Sequence, residues 1–539
     1  MKAEPLALWA WVVVCMAAAA LFGLCLGVPP DEDAFIYFRY ALQWAAGHGL
    51  VFNPGERVEG FSSPAWMAVV ALGARLGGAP HVFARAAGLL CGVLTVAATA
   101  WLARRLGAGR LAAGGAAAAL ALDYWFLHWS QSGLETPLYA LVLVLAAGAG
   151  ARVLDGPGDP GARVDLAAGA FFGLAALSRP EGLLLPPAFL AIAWWRGVPR
   201  GRLLRLALPA LVPFLVYGLW RRATFHAWLP NTSVKLYTLR LDRSLEQALA
   251  FVAYAGVVAI VLPAVACVVL RSRGRAIPGH AALWALIMGS AALFQALAGG
   301  DYRAGYRYLV PALPAAVAWA WWALHTVAEG WSRPARAAAA AGLLVSLVAG
   351  SGREWQAGRA LRCLPETALA RWSDPFNTPL GREGARGGWA WDESRFGGEW
   401  ILEHVPEGSL VAYGQMGKAP YLQLLRGRDV RFFDTIGLVN RDVADLYRMD
   451  RKLRDLAAAL LHGEPLGEAL ARGREERARR FVDLLLGARP DFILVERNLP
   501  HAGLQEVLPR DPRFQQDYAL VDAVGPEDLV RVYRRGPPR

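Results

Sequence analysis

Three acids, Asp31, Glu32 and Asp33, stand directly after an apolar run from Leu6 to Val28. A carboxylate held at the edge of a membrane span is partly desolvated, which raises its basicity. Such a group suits a general base that takes a proton from a hydroxyl. The segment runs on to Pro64 and adds Arg39, His48, Asn53, Glu56 and Glu59, with Gly47, Gly49, Gly55 and Gly60 to shape turns. His48 is either a second acid–base group or a loop-packing residue. Farther along, Glu135, Arg179, Glu181, Lys235, Asp301 and Arg307 sit near one end of their apolar runs. Ionisable groups at membrane depth are costly and are usually retained for a pathway or a site. Each alone could instead snorkel or form a structural ion pair.

The elements that must position these residues are membrane helices. The chain has 539 residues, of which 55% are hydrophobic and only 19% charged. An ordinary soluble domain carries about 25% charged residues. The apolar excess lies mostly before Gly350, which predicts an α-helical polytopic membrane protein of about eleven spans. They are placed at Leu6–Val28, Val82–Leu106, Leu111–Leu127, Leu134–Leu154, Val164–Leu177, Gly182–Trp195, Leu204–Trp220, Ala248–Leu270, Ala281–Leu297, Tyr308–Leu324 and Ala337–Val348. The first is read as an uncleaved anchor, because it is longer than a secretory h-region and lacks a clear cleavage site.

Four connections carry arginines: Arg104, Arg105 and Arg110; Arg196, Arg200, Arg202 and Arg205; Arg271, Arg273 and Arg275; Arg333 and Arg336. In the span order all four fall on one side, which the positive-inside rule makes cytoplasmic. The loop 29–80 and everything after Gly350 are then extracytoplasmic, at the inner (plasma) membrane. The end of that loop, PAWMAVVALGARLG, is too short to cross and reads as a helix at the membrane surface. Residues 1–350 form the membrane domain. Residues 351–539 read as a soluble α/β domain with strands in SLVAYG, VRFFD and DFILVE and a helix through Asp442–Leu461.

The net charge of +12 is explained by the arginine clusters rather than by nucleic acid, for which no binding module is present. The five cysteines suggest neither a disulfide framework nor a zinc site. No Walker sequence points to ATP. Arg221, Arg222, Lys235, Arg240 and Arg243 break the charge trend by clustering on the outer side. A phosphate-bearing lipid or anionic headgroups would account for them.

The segment DEDAFIYFRYALQWAAGHGLVFNPGERVEGFSSP resembles the pattern DDAxIxxRYAxxxxxGxGLVxNPGExVEGxTxP of GT-C glycosyltransferases. The subgroup it resembles contains the terminal arabinofuranosyltransferases of bacterial cell-wall arabinan. Four further segments resemble that subgroup in the same order: SGLETPLY from Ser132, LSRPEGLLL from Leu177, WLPNTSVKL from Trp228 and GGDYRAGYRYLVPALP from Gly299. FFDTIGLVNRDVA in the tail resembles a recurring D-x-x-GL motif. The resemblance implies a GT-C fold with Asp33 as the base, and Asp31, Glu32 and Glu135 as supporting acids. Arg39, His48, Asn53, Glu59, Arg179, Glu181, Asn231, Lys235, Asp301 and Arg307 become candidates for binding the donor. Some GT-C enzymes place a divalent cation, Mg or Mn, on the carrier phosphate, and Asp31, Glu32 and Glu135 could ligate one.

The expected reaction is inverting transfer of a sugar, arabinofuranose favoured, from a polyprenyl-phosphate carrier to a cell-envelope glycan. Mannosyl or other hexosyl transfer is the nearest alternative. A transporter or flippase of lipid-linked sugars is the rival from another class, although no inverted repeat favours it. The topology makes a direct prediction. Cysteines introduced at Glu56 and Arg474 should react with a membrane-impermeant thiol reagent in intact cells. Labelling that requires permeabilised cells would reverse the assignment.

Overall fold

The computed structural model describes residues 3–26, 28–156, 158–233, 241–255, 257–301, 305–357, 390–447, 466–497 and 507–536. Helix α1 (Ala3–Leu26) leads into α2 (Glu32–Ala45) and α3 (Pro64–Arg75). There follow α4 (Pro80–Arg105), α5 (Arg110–Ala121), a short α6 (Tyr124–Trp129), α7 (Thr136–Asp155) and α8 (Ala162–Ser178). The bundle continues with α9 (Leu185–Trp195), α10 (Arg200–Phe225), the bent pair α11 (Leu241–Ala255) and α12 (Val257–Ser272), then α13 (His280–Leu297), α14 (Leu313–Val327) and α15 (Arg333–Ala357).

Each expected span centres on one of these helices or, for Ala248–Leu270, on the bent pair. Among the described residues, six helices are long and apolar enough to cross a membrane, or seven if the bent pair is one span. The figure of about eleven therefore exceeds what length supports. Helices α5, α8, α9 and α14 have 12, 17, 11 and 15 residues. Two of them are cut short by 3-10 turns, Pro180–Leu184 before α9 and Val310–Ala312 before α14. Each turn carries a proline near its start, where proline fits and a continuing helix does not.

The arginine-bearing connections meet at one end of the bundle. Arg202 and Arg205 share the buried Asp165 at 3.0 and 2.9 Å. Asp155 accepts from the backbone N–H of Gly279 and, at 2.9 Å, of His280. Arg273 donates to the carbonyl of Thr326 at 3.1 Å.

At the other end, the expected loop 29–80 is largely helical. Asp31 caps α2, accepting from the Asp33 N–H at 2.9 Å. Ser63 caps α3 before a proline in its first turn. That helix is amphipathic, with Leu72 exposed on one side and Trp66 fully buried on the other. Trp66 donates to the Gly133 carbonyl at 2.8 Å.

The C-terminal sheet has the order β2 (Arg431–Asp434), β1 (Leu410–Tyr413), β3 (Phe492–Glu496), β5 (Val530–Arg535), β4 (Tyr518–Val524). The three expected strands are present as β1, β2 and β3, with β1 parallel to both neighbours. The antiparallel hairpin of β4 and β5 is absent from the sequence reading. Of the expected helix Asp442–Leu461, a helix Arg441–Tyr447 is described and residues 448–465 lie outside the described residues.

Helix α2 joins the sheet region to the bundle. Its Arg39 is 1% exposed and makes no ion pair among the described residues. Instead its guanidinium donates to the carbonyls of Phe52, Pro420 and Val430 at 2.9, 2.5 and 3.1 Å. Burial pulls this guanidinium down to about 10. Asn53 completes the junction: its amide donates to the Phe432 carbonyl at 2.8 Å and accepts from the Phe432 N–H at 3.3 Å. Lysine cannot reproduce the planar fork at Arg39. Arg39→Lys should cost about 2–4 kcal/mol, since several buried acceptors lose their donors. A lowered melting temperature in detergent, with earlier proteolytic release of the C-terminal region, is the expected readout.

Candidate active site

A cavity of about 390 Å³ opens at the end of the bundle that carries α2. Asp33, Glu135, Arg179, Glu181, Arg221, Arg307 and Tyr308 supply its polar lining. The walls between them are apolar, from Ile36, Tyr37, Phe61, Leu134 and Phe294. On one side the rim is formed by Leu183, Leu184, Trp228, Leu229 and Leu297, all more than a third exposed.

Local sequence explains how each charge is aimed. Arg179 ends α8 in an extended conformation, φ −155° and ψ 153°. The following Pro180 disfavours helix at the residue before it. Gly182 packs so closely on α8 that a Cβ would overlap the Ala175 carbonyl. The RPEG motif is thus a compact exit from a helix that turns both Arg179 and Glu181 inward. Glu135 stands at the start of α7, after Gly133 with φ +78°. A side chain at Gly133 would press on Phe38 and Ala34 of α2. Arg307 follows Gly305 and Tyr306, both left-handed at φ +93° and +57°. Positive φ is strained for a tyrosine. Its ring is held among Trp125, Phe251 and Tyr254.

The charges form chains of alternating sign. Arg179 donates to Glu135 at 2.8 Å and also to Glu181. Arg307 donates to Asp33 at 3.0 Å and to Asp301 at 3.0 Å. Tyr308 lies between the two guanidinium groups, its ring centroid 5.6 Å from Arg179 and 5.1 Å from Arg307. Its hydroxyl accepts from Arg307 at 3.2 Å. Arg221 donates to Glu59 at 2.5 Å, and Tyr217 donates to the same carboxylate at 2.6 Å. Burial pushes the Glu59 carboxyl up, and Arg221 pulls it back. Glu181 Oε2 is buried with no hydrogen-bond partner among the described residues.

The three acids of the DED segment have three separate fates. Asp31 is buried as the cap of α2. Glu32 turns away from the cavity and accepts from the N–H groups of Gly417 and Lys418 at 3.0 and 2.9 Å. Only Asp33 lines the cavity. Asp31, Glu32 and Glu135 are therefore not gathered as a ligand set, and no group of three such ligands occurs among the described residues. The expectation that these three could hold a divalent cation does not fit, because each is committed to a different partner.

Of the other candidates, Glu135, Arg179, Glu181 and Arg307 line the cavity with Asp33. Asp301 and Glu59 stand behind Arg307 and Arg221. Asn231 supports the wall from outside, donating to the Gly437 carbonyl at 3.1 Å while its backbone N–H donates to Glu59 O at 2.9 Å. Arg39 and Asn53 belong to the junction with the sheet and are not part of the cavity lining. His48 is exposed beyond the far end of α2, hydrogen-bonded to Gln43 at 2.6 Å. The helical rise puts it roughly 20 Å from Asp33, outside the cavity lining. Lys235 lies outside the described residues.

Sequence reasoning left two cavity residues off its list of candidates, Arg221 and Tyr308. Arg221 did signal itself by its place in the basic cluster. Tyr308, a single aromatic beside Arg307, gave no signal. The tail motif DTIGL has a structural role: Asp434 accepts from the N–H groups of Ile436 and Val439, both at 2.7 Å. Burial pushes its carboxyl up to about 6. The loop so formed presents the Gly437 carbonyl that Asn231 uses.

No family model matches the chain, and no curated protein sequence matches it. Solved structures do. One is ArnT from Cupriavidus metallidurans bound to undecaprenyl phosphate, with a TM-score of 0.51 and 16% identity, covering 98% of this chain and 99% of that one. The chain shares the GT-C fold. The archaeal oligosaccharyltransferase AglB from Archaeoglobus fulgidus, in complex with an inhibitory peptide and a dolichol-phosphate, has a TM-score of 0.50. It is 12% identical over 90% of this chain and 69% of that one. At such identities the correspondence is one of fold alone.

The Glu135–Arg179–Glu181 chain makes a stability prediction. Arg179→Met leaves two buried carboxylates without their shared counter-charge. The cost should be about 3–5 kcal/mol, read as a drop in detergent melting temperature. A melting temperature equal to wild type would mean that these charges are solvated.

Proposed function

We propose that this chain is an inverting glycosyltransferase that uses a polyprenyl-phosphate sugar. The observation that carries the reading is a carboxylate and an arginine, Asp33 and Arg307, facing one cavity whose rim is apolar. A prenyl-linked donor presents apolar chain, phosphate and sugar in that order, and rim, arginines and carboxylates are arranged to receive each. The acceptor hydroxyl gives its proton to Asp33. Its oxygen attacks the anomeric carbon, the bond from that carbon to the phosphate oxygen breaks, and polyprenyl phosphate leaves.

Charge stabilisation of the leaving phosphate falls to Arg307, with Arg179 and Arg221 on the adjacent walls. Oriented cations in a water-poor site stabilise developing charge more than they would in water. In the free protein Arg307 is shared by Asp33 and Asp301. Phosphate binding competes with Asp33 for that guanidinium and releases the carboxylate toward the acceptor. The unpartnered Oε2 of Glu181 is placed to accept from a sugar hydroxyl. Arabinofuranose is the favoured sugar and a cell-envelope glycan the favoured acceptor, on the five-motif resemblance; a hexose would use the same chemistry. The active face is the extracytoplasmic one at the plasma membrane, opposite the arginine-bearing connections. The region after residue 350 is a separate domain that braces the site.

Purified protein incubated with a panel of polyprenyl-phosphate sugars should release polyprenyl phosphate. Asp33→Asn should lower that release by at least about 10²–10⁴-fold, the usual contribution of a general base. Near-normal turnover in this variant would remove Asp33 from the chemistry. Movement of the lipid-linked sugar across vesicles without phosphate release would favour transport instead.

A further inference from the structure

The cavity uses one face of α2, through Asp33, Ile36 and Tyr37. The other face is held by the sheet region. Glu32, the residue before Asp33, places Oε1 on the N–H groups of Gly417 and Lys418. These begin the helix Lys418–Leu425, whose N-terminus favours a negative group. The same helix supplies Tyr421, whose ring packs on Phe35 at 5.5 Å and Phe38 at 5.7 Å. Its hydroxyl is 2.8 Å from His81 Nδ1 at the start of α4. One turn farther along α2, Arg39 donates to Pro420 O and Val430 O. Gly417 closes the junction from below: a Cβ there would overlap the Glu32 carbonyl oxygen and come within 2.6 Å of its carboxylate. Backbone is thus packed on backbone one residue from the cavity carboxylate.

We propose that the C-terminal sheet region is a positioning device for Asp33, with Glu32 and Gly417 as its point of action. The inference rests on the reading of Asp33 as the base. Glu32 is a positioning residue, because it holds the first turn of α2 against the sheet region and does not face the cavity. Two structural details distinguish this from general cohesion. The contact is made by the residue adjacent to Asp33, and it runs through one carboxylate oxygen to two backbone N–H groups.

The test compares four variants with the panel donor that supports release of polyprenyl phosphate. Gly417→Ala and Glu32→Ala should lower kcat by up to about 10²-fold, the effect of a displacement near 1 Å at a reacting group. The KM for the donor should hardly change, because the arginines are untouched. Glu32→Gln keeps an acceptor oxygen for the two N–H groups. It should retain turnover within a few-fold and keep the acid limb of the pH–rate profile. Asp33→Asn should lose turnover. If Glu32→Ala and Gly417→Ala both turn over normally while Asp33→Asn is dead, the positioning role is overturned and the base stands. If Glu32→Gln is dead and Asp33→Asn is active, both readings fall and Glu32 becomes the chemical group. Should Gly417→Ala fail to fold, Glu32→Ala decides alone, with binding of undecaprenyl phosphate as the check on its integrity.

Discussion

A guanidinium taken out of water must have its charge balanced or its N–H groups bonded, and this requirement organises the end of the molecule that bears the cavity. Arg179, Arg221 and Arg307 are each at most 5% exposed. They are neutralised by Glu135 and Glu181, by Glu59, and by Asp33 and Asp301. The carboxylates come from α2, the loop after it, the start of α7, the turn before α9 and the loop after α13. Bringing the arginines into the bundle therefore draws five separate stretches of chain together. Pairs of this kind add little net stability over apolar packing. Their presence makes more sense as a set of charges held ready for a ligand than as cement.

Arg39 answers the same requirement with neutral groups. Three carbonyls and an aromatic face on each side, Phe52 at 4.7 Å and Phe432 at 5.3 Å, surround its guanidinium. Two of those carbonyls belong to the C-terminal region. A single side chain on α2 thus couples the sheet to the helix that carries Asp33 through carbonyl acceptors rather than through an ion pair.

The sequence was readable where a physical signal was local. Apolar runs located the helices, one-sided arginines grouped the connections, and short β-like runs marked three of the strands. The residues alone narrowed the cavity carboxylate to three adjacent acids, and the resemblance favoured Asp33; a physical reason to separate them required knowing that Asp31 is a helix cap. That in turn required recognising α2, which its aromatic and charged residues disguised as a loop. Its apolar residues cover nearly the whole circumference, because it is wedged between bundle and sheet rather than half exposed. His48 and Asn53 were assigned to the site for a related reason: residues close in sequence were taken as close in space, and a 14-residue helix carried them away. The β4–β5 hairpin escaped because β4 is largely exposed and β5 carries three arginines among its six residues.

Asn53 has a consequence for how the chain assembles. Strand β2 is an outer strand of the sheet, and such edges invite pairing with any extended segment. By bonding both the N–H and the carbonyl of Phe432, one amide side chain imitates a neighbouring strand and closes that edge at its centre. The plug comes from a residue made early in synthesis, while the strand it protects is made near the end. The sheet is therefore born into a surface already waiting for it, and a chain cut between the two would expose an adhesive edge instead of a finished one.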